Sequence, residues 1–196
     1  DDSGRLVHVT DAFGNQTTVE RDADGVPTEI VGHDGARTIL ALSDEGLLAS
    51  VTNPANESYE FQYGAGGLLT NKLDAIQNEY QFEYADSGLL VRADDPGGSF
   101  VELDRTLTDH GYQVVRTTAE GRATTYSVER LPTGEMRIAK SSGCCGGDLK
   151  EVLVGTDGSR LTSYADGTLV SETDAPDPRW GLLSPLLAEK RVTLPS

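Results

Sequence analysis

The sequence has few of the residues on which catalytic and metal sites depend. Its 196 residues include two cysteines, one methionine, one tryptophan and three histidines. The histidines, His8, His33 and His110, are too far apart for a paired metal-ligand spacing. No Gly-x-Ser-x-Gly elbow and no phosphate-binding glycine loop occurs. We therefore predict a protein that is not an enzyme, with no catalytic residue, no metal site and no cofactor.

Basic residues and long apolar runs are also scarce, which excludes two further classes of protein. The formal net charge is −16 and the sequence pI is about 4.4. Such a chain repels phosphate backbones, so we predict no binding to nucleic acid. No run approaches the roughly 18 apolar residues that span a bilayer, so no membrane insertion is expected. The first residues lack the features of a signal peptide, and we expect the segment to lie inside a longer protein.

Glycine, by contrast, is abundant and periodic. Five glycines are separated by gaps of 21 residues, and three more follow at gaps of 23, 23 and 24: Gly4, Gly25, Gly46, Gly67, Gly88, Gly111, Gly134 and Gly158. Polar phrases such as "DADG" and "SDEG" lead into them, and a second break such as "DAFGN" or "NPANE" lies in mid-repeat. Glycine permits positive φ, and Asp or Ser side chains bond the local backbone. Each repeat is therefore predicted to be strand, turn, strand, turn.

The residues between the turns alternate as in half-buried strands. Two strands carry aromatic triplets on one face, with Glu and Gln on the other: Tyr59, Phe61, Tyr63 and Tyr80, Phe82, Tyr84. Helical periodicity is absent, and single hairpins cannot bury their apolar face alone. The sequence therefore predicts an all-β fold of stacked tandem β-hairpin repeats of about 21–24 residues.

The six aromatic residues have two open interpretations. Equivalent residues of stacked strands face each other, so we expect the two triplets to lie side by side. They then form either a core ladder between strands or an exposed platform on which sugars stack. Solvent exposure of the rings distinguishes the two.

The glycine-to-glycine units resemble the YD repeats of the Rhs family, which includes bacterial polymorphic toxins, insecticidal toxin complexes and teneurins. The phrases "FQYGAGG" and "FEYADSG" match the family's Tyr-Asp phrase, with Gly64 and Ala85 at the Asp position. The resemblance implies that the sheet forms a curved or spiral shell segment. In toxin members such a shell encloses a cytotoxic cargo, and in teneurins it supports adhesion. It also implies an extracellular or cell-surface location.

The end of the chain differs in composition from the repeats. We predict a YD-type hairpin array over residues 1–173 and a Pro-containing linker or capping segment over residues 174–196. The motif of this segment resembles the link between repeat blocks of large Rhs proteins: Asp177, Pro178, Arg179, Trp180 and Gly181. Trp180 is expected to pack on the last hairpin, with a binding platform as the alternative. The pattern around the family's self-cleaving core is missing, so no catalytic residue is assigned.

Both cysteines lie in one phrase, "SSGCCGGD", at Cys144 and Cys145. Adjacent Cα atoms are 3.8 Å apart, below the roughly 4.4–6.8 Å usual for disulfides. A vicinal disulfide would close a strained ring, which the flanking glycines help to accommodate. Three states therefore stay open: a vicinal disulfide, two free thiols, and links to another chain or a metal.

The function predicted from these features is structural. We expect a non-enzymatic wall segment of a large secreted or cell-surface Rhs-type protein. Its partners would be neighbouring repeats, other copies of the chain, or a protein cargo. The alternatives are an adhesion module that binds glycan or a partner protein through the aromatic strand face, and a subunit of an extracellular filament.

Overall fold

The computed structural model describes residues 1–143 and 149–195. The chain divides into two compact units, Asp1–Gly98 and Ser99–Ser196, called unit 1 and unit 2 below. The described residues form strands and turns without an α-helix, so no helix in this part is long and apolar enough to cross a membrane. The predicted all-β fold of tandem hairpins is confirmed.

Unit 1 is a run of nine strands, each antiparallel to the next along the chain. The strands are β1 His8–Thr10, β2 Gln16–Arg21, β3 Pro27–Val31, β4 Arg37–Leu42, β5 Leu48–Thr52, β6 Ser58–Tyr63, β7 Leu69–Leu73, β8 Glu79–Tyr84 and β9 Leu90–Asp94. A short 3₁₀ turn, Ala65–Gly67, lies between β6 and β7. Sequential hairpins account for this order.

The turns that join β1 to β9 share one geometry. Each turn has five residues. The N–H of its first residue donates to the carbonyl of its fifth residue, and the N–H of its fourth residue donates to the carbonyl of its first residue. In the turn after β2 these distances are 3.0 Å from Asp22 to Val26 and 3.1 Å from Gly25 to Asp22. The fourth residue always has positive φ: Gly14, Gly25, Gly35, Gly46, Asn56, Gly67, Gln77 and Gly88. This is the three-residue hairpin loop that ends in a left-handed residue.

Many of these turns are also closed by the side chain of their first residue. The Oδ1 of Asp74 accepts hydrogen bonds from the N–H groups of Ile76 (3.0 Å) and Asn78 (2.9 Å). The bond from the backbone of Asn78 is the main cause that lowers the pKa of Asp74. Asn53 makes the same two bonds, to Ala55 and Glu57, at 2.9 and 3.0 Å. The acceptor can therefore be a charged Asp or a neutral Asn, and turns that begin with Gly32, Gly64 or Ala85 form the same backbone bonds without one.

One hairpin in each repeat contains a β-bulge. Between β6 and β7, Gln62 faces Asn71 but Tyr63 faces Leu69, so Thr70 is an extra residue. The same shift recurs between β2 and β3, β4 and β5, and β8 and β9. Side chains alternate along a strand, so a repeat with an odd number of residues would place equivalent residues on opposite faces. The extra residue leaves an even number of residues in the alternating pattern, so equivalent side chains stay on one face of the sheet.

Unit 2 is also built from antiparallel strands, but its turns are not regularly spaced. Its strands are β10 Phe100–Thr108, β11 Gly111–Thr118, β12 Ala123–Arg130, β13 Met136–Ser142, β14 Lys150–Val154, β15 Arg160–Tyr164, β16 Leu169–Asp177 and β17 Gly181–Thr193. Thr108 faces Gly111 across a two-residue turn. A β-carbon at Gly111 would lie 1.9 Å from the carbonyl oxygen of Val128, so this glycine is needed for close approach of two strands.

The apolar side chains are packed within the sheet rather than inside a closed core. Among the described residues, the buried ones are the polar Thr162 and Asp177, each 7% exposed, and no apolar residue is buried. Most apolar side chains of unit 1 strands are half-buried against their cross-strand neighbours. Stability therefore comes from contacts between adjacent strands and adjacent repeats.

Gln77 allows a direct test of the turn geometry. Its φ is 64°, a conformation that strains any residue with a β-carbon. We expect Gln77→Gly to raise the free energy of unfolding by about 0.5–1 kcal/mol, since relief of strain outweighs the greater freedom of unfolded glycine. Urea denaturation followed by far-ultraviolet circular dichroism measures the change.

The matched control reverses the substitution in another turn. A β-carbon at Gly35 would meet nothing within 4 Å, so φ strain is the main penalty there. Gly35→Gln should lower the free energy of unfolding by about 1 kcal/mol. Stabilities that do not change in opposite directions would contradict a requirement for the left-handed residue.

Candidate functional site

The two aromatic triplets lie on one face of unit 1, called the aromatic face below. Phe61 of β6 faces Lys72 of β7, and Lys72 faces Tyr80 of β8. The triplets are therefore on the same face, as predicted, but they are not side by side. That part of the prediction was wrong, because equivalent strands of successive repeats are separated by the first strand of the second repeat.

Lys72 occupies the position between the triplets. Its Nζ lies 4.4 Å from the centroid of the Tyr80 ring, within the range of a cation–π contact. The equivalent positions in the other repeats hold Ile30, Val51 and Ala93. Lys72 thus replaces an apolar residue, and its ammonium group lies over the Tyr80 ring.

The last tyrosine of each triplet is tied to the preceding hairpin. The hydroxyl of Tyr63 donates to the carbonyl oxygen of Leu48 (2.9 Å), and that of Tyr84 donates to the carbonyl oxygen of Leu69 (2.8 Å). Leu48 and Leu69 are the first residues of two bulged segments, where the backbone ladder is disrupted. Each tyrosine therefore donates a hydrogen bond to a backbone carbonyl at a bulge.

The residue at the position of this tyrosine differs in the first two repeats. Arg21 takes the tyrosine position in the first repeat, and its Nη2 donates to the carbonyl of Leu6 at 3.3 Å, again 15 residues earlier. Leu42 occupies this position in the second repeat and has no hydrogen-bonding side chain. The sequence reasoning missed this link, although the constant spacing from Leu to Tyr was a readable signal.

All six aromatic side chains of the aromatic face are half-buried. Two equivalent shallow grooves run beside Tyr63 and Tyr84, lined in the first case by Ser43, Leu47 and Phe61. The rings are neither fully buried in a core nor fully exposed to solvent. The choice between a ladder and a sugar platform stays a prediction, but the two bonded hydroxyl groups act within the sheet.

The histidines are not brought together. His8 lies in β1, while His33 and His110 lie in turns, and all three are exposed. Across residues 1–143 and 149–195, no three His, Cys, Asp or Glu side chains are grouped so that they could hold a metal ion. Cys144 and Cys145 lie outside the described residues, so their three possible states stay predictions.

The "DPRWG" motif forms the turn between β16 and β17. The Oδ1 of Asp177 accepts bonds from the N–H groups of Arg179 (2.7 Å) and Trp180 (3.1 Å), and Gly181 has a φ of 60°. Trp180 is 62% exposed, and its two possible roles, an anchor on the last hairpin and a binding platform, stay predictions. Residues 174–193 include a paired hairpin, and the predicted boundary at residue 173/174 stays a prediction.

Sequence reasoning also missed the ion pairs of unit 2. Arg160 binds both carboxylate oxygens of Asp174 at 2.8 Å and lies 3.7 Å from Glu172. The hydrogen bonds to Asp174 raise the pKa of Arg160, and those from Arg160 lower the pKa of Asp174. These residues are far apart along the chain, so only the strand register brings them together.

Tandem hairpins, repeated bulges and tyrosines that bond the preceding hairpin define a protein of the YD-repeat class. Residues 1–186 match the family model described as "Teneurin YD-shell", and the chain belongs to this family. The resemblance to YD-repeat proteins found in the sequence is confirmed.

Individual relatives match along most of this chain. It is 28% identical over 193 residues to Teneurin-4 of Mus musculus, which covers 98% of this chain and 7% of Teneurin-4. A chain in the structure of the Photorhabdus luminescens Tc holotoxin pore matches 89% of this chain and 10% of its own length. That match has 11% identity and a TM-score of 0.45. The chain thus spans less than about a tenth of Teneurin-4.

The tyrosine link generates a test on Tyr84. Tyr84→Phe keeps the ring but leaves the carbonyl of Leu69 without its 2.8 Å partner. We expect the free energy of unfolding to fall by about 1 kcal/mol, the usual contribution of one such bond. Urea denaturation measures the difference.

Tyr80→Phe is the matched control, since the Tyr80 hydroxyl makes no hydrogen bond within the described part of the chain. It should change stability by less than about 0.5 kcal/mol. Leu42→Tyr places a hydroxyl at the position where the second repeat lacks one and should stabilise by up to about 1 kcal/mol. Equal effects of Tyr84→Phe and Tyr80→Phe would contradict the proposed role of the bond.

Proposed function

We propose that the chain is a non-enzymatic wall segment of a large secreted or cell-surface YD-repeat protein. Membership of the YD-shell family supports a structural shell segment. The observation that carries the proposal is the use of polar side chains to join strand to strand. Tyr84 bonds the previous bulge, Asp74 closes its own turn, and Arg160 joins β15 to β16.

The partners proposed for such a wall are the neighbouring repeats of the parent chain. Unit 1 is an array in which each repeat contacts mainly the next, as in other repeat proteins. A protein cargo enclosed by the parent shell is the second proposed partner. Its recognition requires no specific site on this segment, because enclosure depends on the sheet and not on single side chains.

An adhesion module is the second candidate, and one observation favours it. The rings of Tyr59 and Tyr80 are half-exposed on the aromatic face, and shallow grooves lie beside the last tyrosine of each triplet. Against it, the hydroxyl groups of Tyr63 and Tyr84 bond the backbone and are not free for a ligand. The wall segment is therefore the better-supported function.

Two measurements on the purified chain test the proposed function. We expect no turnover in a broad screen of hydrolase and transferase substrates, because Tyr84, Asp74 and Asp174 already bond within the sheet. We also expect neutral oligosaccharides to bind no more tightly to the unchanged chain than to Tyr59→Leu/Tyr80→Leu, as measured by isothermal titration calorimetry.

Two outcomes would overturn the wall segment. Turnover that a single substitution abolishes would show an enzyme. Saturable binding of a neutral oligosaccharide that is lost in Tyr59→Leu/Tyr80→Leu but kept in Tyr84→Phe would show adhesion through the aromatic face.

A further inference from the structure

Two turns of unit 1 begin with a residue that offers no side-chain acceptor. In the turn after β2, the Oδ1 of Asp22 accepts a hydrogen bond from the N–H of the fifth residue at 2.9 Å. The turns after β6 and β8 begin instead with Gly64 and Ala85, which carry no side-chain oxygen. The N–H groups of their fifth residues, Leu68 and Leu89, therefore receive no acceptor from the first residue of the turn.

Neither of these turns has a substitute acceptor at its third position. In the turn after β3, the third residue, Asp34, accepts from the N–H of the fifth residue at 3.1 Å. The third residue of the turn after β6 is Gly66, and that of the turn after β8 is Ser87. Within residues 1–143 and 149–195, the N–H groups of Leu68 and Leu89 make no hydrogen bond. Two backbone donors are thus available to an acceptor from outside.

Both turns border the groove beside Tyr84, called the Tyr84 groove below, which is lined by residues 64–66, 68, 70 and 82–88. Its volume is about 940 Å³, within the range of small-ligand sites. The equivalent groove one repeat earlier has about 340 Å³ and is bordered by one turn, in which the Ser43 hydroxyl accepts from the N–H of Leu47 at 3.3 Å. The larger groove therefore lies where two neighbouring turns lack the side chain that accepts these bonds.

The site of the missing side chain belongs to this groove. A β-carbon at Gly64 would lie 3.0 Å from Cγ2 of Thr70, and both residues line the groove. A ligand in the groove therefore reaches the position from which Asp22 closes its own turn.

The charge of the Tyr84 groove is negative. Its charged side chains are Glu83 and Asp86, and none of the described residues that line it is Lys, Arg or His. Neither carboxylate forms an ion pair within the part of the chain that the structure describes. Leu68 and Phe82 add apolar surface. A ligand that fits the groove offers hydrogen-bond acceptors to the backbone N–H groups and positive charge to the carboxylates.

The spacing of the two turns indicates the length of the ligand. β7 lies between β6 and β8, and adjacent strands are about 4.8 Å apart, so the two turns are separated by about 10 Å. An extended peptide covers this distance with about three residues. Its backbone carbonyls supply the acceptors, and a lysine or arginine side chain supplies the positive charge. A simple polyamine has the charge but no carbonyl, and an acidic ligand is repelled.

We propose that the Tyr84 groove binds an extended basic peptide segment of a partner protein. Backbone carbonyls of the peptide accept hydrogen bonds from Leu68 and Leu89, and its lysine or arginine side chains pair with Glu83 and Asp86. The proposal adds a docking site to the wall segment, and the wall function does not depend on it.

Calorimetric titration of the purified chain tests the proposal with three probes. They are a hexapeptide of alternating lysine and glycine with blocked ends, the same peptide with glutamate in place of lysine, and spermine. We expect the lysine peptide to bind saturably and to weaken as salt is raised. Spermine, which has no carbonyl, should bind at least about tenfold more weakly, and the glutamate peptide should not bind.

Substitutions connect the binding to the groove. Ala85→Asp supplies the acceptor that Asp22 supplies in its own turn, so it should weaken the lysine peptide several-fold although it adds negative charge. Its melting temperature should not fall, because the N–H of Leu89 gains a partner. Asp86→Asn should also weaken the peptide several-fold. Asp44→Asn is the matched control, since Asp44 holds the equivalent position beside the smaller groove, and affinity should be unchanged.

Four results would overturn the proposal. They are the absence of saturable binding by the lysine peptide, equal affinity for spermine, unchanged affinity in Ala85→Asp, and an equal loss of affinity in Asp44→Asn and Asp86→Asn.

Discussion

A left-handed residue at the fourth position of each turn is the constraint on which unit 1 depends. With φ between 60° and 86° at these positions, the turn's first residue forms both backbone bonds that close the hairpin. The turns then recur at a nearly constant interval from Gly14 to Gly88. Because the repeat has an odd number of residues, equivalent side chains of successive repeats would lie on opposite faces of the sheet. The single bulge residue of each repeat, such as Thr70, keeps them on the same face. Turn conformation and bulge together place Tyr59 and Tyr80 on one face.

The tyrosine link follows from that placement. Because each repeat keeps its facing, Tyr84 lies above the bulge of β7 and reaches the carbonyl of Leu69, as Tyr63 reaches Leu48. The bulge is thus required for parity, and the tyrosine supplies a hydrogen bond at the place where the bulge disrupts the ladder. Without a fully buried apolar side chain in the described residues, such links between neighbours carry much of the stability. A segment built in this way suits a wall, whose repeats need only bind one another.

The sequence predicted the elements that depend on local chemistry. Glycine spacing and Asp-containing turn phrases predicted the hairpins, since positive φ and side-chain acceptors act within a single turn. The bulge was not predictable, because Thr70 and its equivalents Thr28, Ala49 and Val91 share no side-chain property. The side-by-side placement of the aromatic triplets was wrong because β7 lies between β6 and β8, and the bond from Tyr84 to Leu69 was missed. Asn56 and Gln77 take the place of glycine in two mid-repeat turns, so glycine spacing alone does not mark these two turns. The ion pair of Arg160 with Asp174 depends on the register of β15 and β16, which the irregular spacing of unit 2 does not reveal.

The most direct test of the central claim is a comparison of two deletions in the whole chain, measured by urea unfolding and far-ultraviolet circular dichroism. Deleting residues 67–87 removes one full glycine-to-glycine repeat and brings Gly88 to the position of Gly67, so turn, bulge and facing are all kept. We expect a β-rich chain that still unfolds cooperatively. Deleting residues 67–76 also leaves a left-handed residue, Gln77, in the turn, but it removes β7 with its bulge and reverses the direction of every later strand relative to β6. We expect this chain to lose its cooperative unfolding. Equal folding of the two deletion chains would contradict the claim that the full repeat, with its one bulge, sets the fold.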